Sequence, residues 1–289
     1  MREAIDKEII NKEQERYWST NSGEKWITFQ SEIDTVFQSV NDRLFERAKP
    51  LDGEHVLDVG CGTGATSLDL AKSVGPTGRI VGLDISKQLL SVANIRSREL
   101  GHDNVEYILA DAQSHAFDDD GFDLLTSRFG LMFFETPVDA FINLSKALKP
   151  GGRVSFVTWA RIEHNPWFEA PRDAAVARLG KPSPGSPTAP GPLAFADINY
   201  VTDILGKAGF TEVAGIEETV DLFHPGTVEV VAHTAANIGP AARIIKQYEG
   251  TQDDVVAIGD GVVDAFRGYQ AVDGVRVPAN LNFFSATRR

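Results

Sequence analysis

The spacing of apolar residues changes in character twice along the chain. From Phe29 apolar side chains recur at helical intervals, until Pro50 and Gly53 end the pattern. The helical positions are Ile33, Val36, Phe37, Val40 and Leu44. From His55 short apolar runs alternate with helical stretches; the runs cover residues 56–59, 80–83, 105–109, 122–126 and 154–158. Runs with so few polar interruptions are typical of strands buried on both faces, so the alternation predicts a doubly wound α/β fold with a mostly parallel sheet.

The last third of the chain is less regular. A helix over residues 138–148 is expected to stop at the Pro-Gly-Gly segment 150–152, and prolines dominate residues 181–194, which predicts a loop. Asp197 is a candidate N-cap for a helix that Gly209 closes. Residues 211–222 and 275–286 read as strands, and 227–270 as helices with a break at Gly239-Pro240. We expect a single domain made of a helical cap (1–50), a core (51–160) and a lid or substrate region that carries the final strands (161–289).

Composition excludes several classes of function. The chain has 289 residues and a formal net charge of -13, which disfavours binding to nucleic acid or to anionic membranes. No apolar run approaches the ~20 residues that a membrane span needs. The first seven residues are charged, with no apolar segment behind them, which argues against a signal peptide. With a single cysteine no intrachain disulfide is possible, so we expect a cytoplasmic protein.

A glycine-rich segment after the first predicted strand is the main candidate for chemistry. Gly60, Gly62 and Gly64 lie between that strand and a helix, where glycines allow a tight turn and close approach of a ligand to the backbone. Their spacing differs from the Gly-x-Gly-x-x-Gly of nicotinamide cofactor sites. Asp58 precedes them, and a carboxylate there favours a ligand with a cationic group over a pyrophosphate. The segment therefore points to a nucleoside cofactor other than a dinucleotide.

Two further acids end neighbouring predicted strands. Asp84 follows the second run, where a carboxylate can accept hydrogen bonds from ribose hydroxyls, and Asp111 follows the third, where it can accept from an adenine amino group. Ligands of open α/β sheets bind at the carboxyl ends of the strands. We therefore expect both acids and the glycine segment to border one crevice.

These motifs, with the Leu-Lys-Pro-Gly-Gly segment 148–152, resemble class I S-adenosylmethionine-dependent methyltransferases, in particular the ubiquinone and menaquinone biosynthesis branch. The resemblance implies a Rossmann-like, seven-stranded sheet whose last strand is antiparallel, with N-terminal helices and a helical lid insertion. It also implies S-adenosylmethionine as the cofactor and a small molecule as the methyl acceptor. The cofactor contacts that it implies are Asp58, Gly60, Cys61, Gly62 and Gly64 on the methionine half, Asp84 on the ribose, Ile85, Asp111 and Ala112 on the adenine, and Ser127 beside the cofactor.

The walls of an acceptor pocket must come from residues outside these motifs. Three groups are candidates: the N-terminal aromatics Tyr17, Trp18 and Trp26, which are expected to cover the cofactor; Arg128, Phe129, Met132 and Phe133 after the fourth strand; and Trp159, His164 and Trp167 after the fifth. Arg128 is a candidate to pair with an acidic substrate group or with a structural acid, and His164 is a candidate general base.

Three other functions stay open at this point: a nicotinamide-dependent oxidoreductase, a non-catalytic S-adenosylmethionine-binding module, and an enzyme that uses the same cofactor for other chemistry. No metal site is expected. The acidic run 118–120 lacks ligands at calcium-loop spacing, and the chain has no Cys/His cluster at zinc spacing.

Overall fold

A mixed sheet lies at the centre of the protein, which a computed structural model describes over residues 10–183 and 185–289. Eight strands form the sheet within these residues: β1 (His55–Val59), β2 (Arg79–Asp84), β3 (Val105–Leu109), β4 (Phe122–Arg128), β5 (Leu148–Trp159), β6 (Thr211–His224), β7 (Gln270–Ala271) and β8 (Gly274–Thr287). Their order is β3-β2-β1-β4-β5-β8-β6, with β7 paired to β8. The first five strands are parallel, and β8 runs antiparallel to both of its long neighbours.

This topology confirms the predicted doubly wound, mostly parallel sheet with an antiparallel last strand. The main path has the expected seven strands, and the eighth, β7, has only two exposed residues, too few to produce a pattern in the sequence. Parallel neighbours β1, β2 and β4 end at the same edge of the sheet, because Val59 is in register with Leu83 and Asp58 with Thr126. The glycine segment starts at this edge.

Twelve α-helices surround the sheet in the described residues: α1 (Lys12–Trp18), α2 (Asn21–Thr28), α3 (Gln30–Val36), α4 (Gln38–Ala48), α5 (Ala65–Val74), α6 (Lys87–Glu99), α7 (Pro137–Ala147), α8 (Pro166–Leu179), α9 (Ile198–Lys207), α10 (Val228–Asn237), α11 (Pro240–Gln247) and α12 (Gln252–Phe266). The predicted cap at Asp197 is present, since its side chain accepts bonds from backbone N–H groups of α9, and Ser86 caps α6 in the same way. The break at Gly239-Pro240 separates α10 from α11, also as predicted.

Two predicted boundaries were wrong. The helical pattern from Phe29 is divided at Phe37 into α3 and α4, because the chain turns there to bury the Phe37 ring. Helix α7 ends at Ala147, and Leu148 already begins β5. The strand starts early because the Pro-Gly-Gly segment pairs with the C-terminus: the Gly151 N–H donates to the Arg288 carbonyl and the Arg288 N–H to the Gly152 carbonyl.

One apolar core connects the N-terminal helices, the sheet and the C-terminal helices; it includes Ile33, Leu57, Phe156, Trp167 and Phe266, each at most 2% exposed. The proline-rich loop has neither helix nor strand over its described residues, and the Gly191 N–H fastens it to the Met132 carbonyl. Within residues 10–183 and 185–289, no helix is long and apolar enough to cross a membrane. The first seven residues, on which the signal-peptide prediction rests, lie outside the described residues.

Candidate active site

The glycine segment turns tightly at the carboxyl end of β1. Gly60, Gly62 and Gly64 have φ values of +70°, +56° and +87°, in the left-handed region that side chains with a Cβ disfavour. The N–H groups of Gly60 and Cys61 both donate to the Leu83 carbonyl, which ties the turn to the end of β2. The result is a stretch of bare backbone at Gly60 and Gly62 that lines a large cavity.

Asp84 forms the next wall of the cavity, at the end of β2. It is 8% exposed, and its two carboxylate oxygens accept bonds from the Gly62 N–H (2.9 Å) and the Ser86 N–H (2.8 Å). Burial raises the pKa of Asp84, while these N–H groups act in the opposite direction. A carboxylate has about four lone-pair sites, so Asp84 keeps capacity to accept a hydrogen bond from a ligand.

The cavity continues from this wall into an apolar region beyond β4 and β5, which we call the aromatic chamber. Its lining is Phe37, Phe129, Met132, Phe133, Trp159, Trp167, Phe168, Pro192, Ile238 and Gly239. Trp18 packs against Phe133 and Trp26 lies beside Phe37, so all four tryptophans of the chain line one cavity. Ligand binding should therefore change the intrinsic fluorescence of the protein strongly.

Phe129 is held in a strained backbone conformation to complete this chamber. Its φ is +65°, which is unusual for a bulky residue, and its ring stacks on Trp159 at 4.7 Å with an interplanar angle of 10°. Its N–H donates to the Val157 carbonyl on β5, which fixes the turn. Strain of this kind is concentrated at binding and catalytic sites, and it points to the chamber as a functional surface.

Comparison with known proteins agrees with this geometry. The ubiE/COQ5 methyltransferase family matches residues 31–175, half of the chain. The chain belongs to this family. Nocamycin O-methyltransferase of Saccharothrix syringae is 30% identical over 209 residues, 70% of this chain and 75% of that enzyme. Demethylmenaquinone methyltransferase of Lactococcus lactis subsp. lactis (strain IL1403) is 35% identical over 112 residues, 39% of this chain.

The match to the Lactococcus enzyme spans less than half of that relative's length, 44%. Among solved structures, phosphoethanolamine N-methyltransferase 2 of Haemonchus contortus in complex with S-adenosyl-L-methionine aligns with a TM-score of 0.58. That alignment covers 96% of this chain and 59% of the other at 19% identity. The likeness therefore concerns the fold of this ubiE/COQ5 family member.

Asp58 does not face the cavity, contrary to its predicted contact with a cationic ligand group. It is 1% exposed on the α5 side of β1, where the Ser67 hydroxyl donates to one carboxylate oxygen at 2.6 Å. The other oxygen has no hydrogen-bond partner among the described residues. Burial raises the pKa of Asp58 to about 6, with the Ser67 bond acting in the opposite direction.

This raised pKa predicts that the protein loses stability as the pH rises. The unfolded state ionises Asp58 near pH 4 and the folded state only near pH 6, so the loss develops between these values and is complete above pH 6. A difference of about 2 pH units corresponds to about 3 kcal/mol. We expect Asp58→Asn to match the wild type near pH 4 and to exceed it by up to that amount at pH 8, measured by urea unfolding. An equal change for Asp203→Asn, which removes an exposed acid, would contradict this assignment.

Asp111 lies at the end of β3 as predicted, but its carboxylate is already occupied. It accepts bonds from the backbone N–H groups of Ile10 (3.0 Å) and Asn11 (2.9 Å), from the Asn11 side chain (2.8 Å) and from the Gln113 N–H (3.0 Å). The predicted contact with an adenine amino group is therefore not open in this conformation. The acid instead holds an N-terminal segment in place.

We call that segment, residues 10–18, the N-terminal strap. At its other end the Trp18 carbonyl accepts bonds from the Ser86 hydroxyl and the Gln88 side chain, both 2.9 Å long. Between the two attachments Gln14 and Tyr17 line the cavity. The strap thus covers the part of the cavity that Asp84 borders.

Asn11→Ala is expected to weaken this cover. The Asn11 side-chain Oδ1 accepts from the Glu135 N–H at 2.8 Å and its Nδ2 donates to Asp111, so removing the side chain leaves the Glu135 N–H without this acceptor and takes one of the hydrogen bonds from the buried Asp111 carboxylate. We expect a loss of about 1–3 kcal/mol in stability and a roughly 10-fold faster release of bound S-adenosylhomocysteine, followed by stopped-flow tryptophan fluorescence. Asn237→Ala is the control, because the Asn237 side chain bonds to the His233 carbonyl of its own helix. An unchanged release rate in Asn11→Ala would show that the strap does not retain the ligand.

The other predicted contacts fall into two groups. Ile85, Ala112, Trp18 and Trp26 line the cavity, as does Arg128. Cys61, Gly64, Ser127 and His164 are absent from the described lining.

The residues outside the cavity have structural surroundings. The Ser127 hydroxyl donates to the Val59 carbonyl (2.7 Å) and accepts from the Gly130 N–H (3.1 Å), so it fixes the loop after β4 against β1. Cys61 is buried, and burial raises the pKa of its thiol, which disfavours a nucleophilic role. Gly64 packs against the Tyr107 hydroxyl.

His164 does not meet the expectation of a general base. It ends a short turn after β5, its side chain is half exposed, and its Nδ1 lies 3.2 Å from a Glu217 carboxylate oxygen on β6. The imidazole therefore lies beside β6, the last strand in the order of the sheet, and His164 is absent from the described lining of the cavity. Among the described lining residues, Asp84 and Arg128 carry the only charges.

Several lining residues had no recognisable signal in the sequence. Asn11 and Gln14 are single polar residues in a charged segment, Gly239 is predicted only as part of a helix break, and Ile238 carries no signal of its own. Phe37 was assigned to the core by its helical spacing, which is correct, but its ring also borders the cavity. A spacing pattern identifies the buried face of a helix but not what that face meets.

Proposed function

We propose that this chain transfers the methyl group of S-adenosylmethionine to a small-molecule acceptor. One observation carries the proposal: a single cavity joins the backbone of Gly60 and Gly62 and the Asp84 carboxylate to the aromatic chamber. A cofactor bound on the first wall would present its reactive end to an acceptor in the second. Relatives in the family include enzymes named for demethylmenaquinone and nocamycin, which supports a small molecule as the acceptor.

The residues of the first wall fit an adenosyl cofactor. The position that a Cβ on Gly62 would take has no atom within 4 Å, which leaves room for a ligand against the bare backbone. Asp84 lines the cavity with a carboxylate that suits ribose hydroxyls, and the partly buried Ile85 side chain beside it suits the face of an adenine. When bound, S-adenosylmethionine supplies an electrophilic methyl group on a sulfonium.

The protein's own part in the transfer is to bind the reactants, align them and exclude water from them. The aromatic chamber excludes water and suits a flat or apolar acceptor. Phe129 and Trp159 form a rigid stacked pair that can fix the plane of an acceptor ring. A general base is required only when the attacking atom carries a proton of high pKa, so the position of His164 outside the cavity does not conflict with methyl transfer.

Calorimetric titration with S-adenosylhomocysteine and with NAD tests the proposal. We expect S-adenosylhomocysteine to bind and to quench tryptophan fluorescence, and we expect no saturable binding of NAD. Tight binding of NAD, with no binding of S-adenosylhomocysteine, would instead favour an oxidoreductase. Binding of the cofactor with no label transferred from methyl-labelled S-adenosylmethionine to any of a panel of phenols, amines and quinol precursors would favour the non-catalytic module.

A further inference from the structure

Arg128 is a cation in an apolar cavity with few protein partners. It is the last residue of β4, and its partly buried side chain lines the cavity. One Nη lies 3.5 Å from the Phe37 carbonyl, at the limit of a hydrogen bond, and the guanidinium carbon lies 5.6 Å from the centre of the Phe37 ring. A guanidinium carries several N–H donors in a planar fork, so most of its hydrogen-bonding capacity is unused by the described residues.

The acids that act on Arg128 through space form no ion pair with it among the described residues. Asp34, Asp58 and Asp69 act to raise its pKa through space, but none lies within 4.0 Å of it in the described part of the chain. Asp34 pairs with Arg96 at 2.6 Å, Asp69 with Lys72 at 2.9 Å, and Asp58 accepts from Ser67. Burial is the largest influence on the pKa of Arg128 and lowers it. A desolvated cation without a paired acid weakens the folded state, so a binding role accounts for it better than a structural one.

Arg128 lies in the chain between a residue that anchors the glycine segment side of the site and one that stacks in the aromatic chamber. Its neighbours in sequence are Phe129, which stacks in the aromatic chamber, and Ser127, which holds the loop of Gly130 against Gly60. The Arg128 side chain contacts Phe37 of the aromatic chamber, and it lines the same cavity as the wall on which the cofactor is proposed to lie. Arg128 is the one cationic residue in the described lining, so a negatively charged group of a ligand in this cavity can pair only with it there.

We propose that Arg128 binds a carboxylate of the ligands that fill this cavity, through paired N–H···O bonds. This inference rests on the proposed function. A carboxylate matches the planar fork, and its single charge balances a single guanidinium, whereas a phosphate carries more charge than one arginine neutralises. Two sources can supply the group: the amino acid end of the cofactor and an acid on the acceptor.

The first arm of the test removes the carboxylate from the cofactor. S-adenosylhomocysteine and 5′-methylthioadenosine share the adenosyl thioether, but the second lacks the amino acid. Their dissociation constants are measured by tryptophan fluorescence for the wild type, Arg128→Lys and Arg128→Met. When the cofactor is the source, Arg128→Met weakens the first ligand by about 10- to 100-fold and leaves the second unchanged. Arg128→Lys retains part of the affinity, because an ammonium supplies the charge without the fork.

The second arm examines the acceptor side. The protein saturated with S-adenosylhomocysteine is titrated with 2-naphthoate and with 2-naphthamide, which are flat ligands of equal size that differ in charge. When the acceptor is the source, the wild type prefers the naphthoate and Arg128→Met loses that preference, while its ratio of affinities for the two adenosyl compounds stays at the wild-type value.

Controls separate these results from loss of fold and from failure of the proposed function. Arg128→Met is expected to melt at or above the wild-type temperature, because it removes an unpartnered cation; Arg79→Met, which removes an exposed arginine paired with Glu106, should leave both ratios unchanged. The inference is overturned if neither ratio changes in Arg128→Met, or if that variant weakens all four ligands alike. A wild type that binds no S-adenosylhomocysteine contradicts the proposed function instead.

Discussion

Gly60→Ala is expected to lower the free energy of unfolding by about 3 kcal/mol, from left-handed backbone strain and overpacking together. The φ of Gly60 is +70°, and a Cβ there would lie 2.6 Å from the Cα of Gly130. The clash is between two backbones, at the crossing of the glycine segment with the loop after β4. Neither segment can move away, because Ser127 fastens the second to the Val59 carbonyl.

Gly62→Ala is the matched variant, and we expect it to affect ligand affinity more than stability. Gly62 also has a left-handed φ, +56°, but a Cβ there would meet no atom within 4 Å. The loss of stability should be limited to the backbone strain, about 1 kcal/mol. The added methyl group projects into the wall on which the cofactor is proposed to lie, so affinity for S-adenosylhomocysteine should fall by about 10-fold or more.

Urea unfolding and ligand titration of the two variants measure these effects separately. The free energy of unfolding should distinguish Gly60→Ala from Gly62→Ala. The folded fraction of Gly60→Ala should still bind the ligand, although less tightly than the wild type does. Equal stabilities for the two variants would contradict the packing described here. Full affinity in Gly62→Ala would contradict the placement of the cofactor on this backbone.

Asp84→Ala is expected to lower affinity for S-adenosylhomocysteine by about 100-fold or more. The carboxylate is the acceptor proposed for both ribose hydroxyls, and hydrogen bonds to a charged group contribute about 1.5–3 kcal/mol each. The substitution also releases the Gly62 N–H, so the glycine segment loses one of its anchors. The affinity of Asp84→Asn for S-adenosylhomocysteine should lie between those of the wild type and Asp84→Ala, because asparagine keeps one acceptor oxygen and loses the charge.

Asp123→Asn is the control for this prediction. Asp123 lies near the start of β4, at the opposite edge of the sheet, where it pairs with Lys149 at 2.6 Å and accepts from the His55 N–H. It should leave the dissociation constant unchanged, as measured by calorimetry. If Asp84→Ala binds as tightly as the wild type, the ribose does not lie on Asp84.

Features encoded in short stretches of sequence were predictable. Apolar runs located the first five strands, and the glycine segment with Asp84 located the edge of the sheet where the cavity lies. These features depend on neighbours a few residues apart. Trp18 and Trp26 were expected near the cofactor and do line the cavity, although only their aromatic character, and no spacing rule, pointed to them.

Features that depend on distant parts of the chain were not predictable. Asp111 meets Asn11, which lies 100 residues earlier, and no local pattern connects the two. Asp58 is the last but one residue of β1, beside the glycine segment, but the alternation of side chains along the strand directs it toward Ser67 on α5. The left-handed backbone of Phe129 results from packing against Trp159, and a sequence favouring that conformation would carry glycine.

A crystal structure with S-adenosylhomocysteine bound tests the central claim most directly. The account predicts the ribose on the Asp84 carboxylate, the adenine beside Ile85 under the N-terminal strap, and the sulfur facing the aromatic chamber formed around Phe129 and Trp159. Density for the ligand elsewhere, or a sulfur that faces solvent and not the chamber, would contradict it.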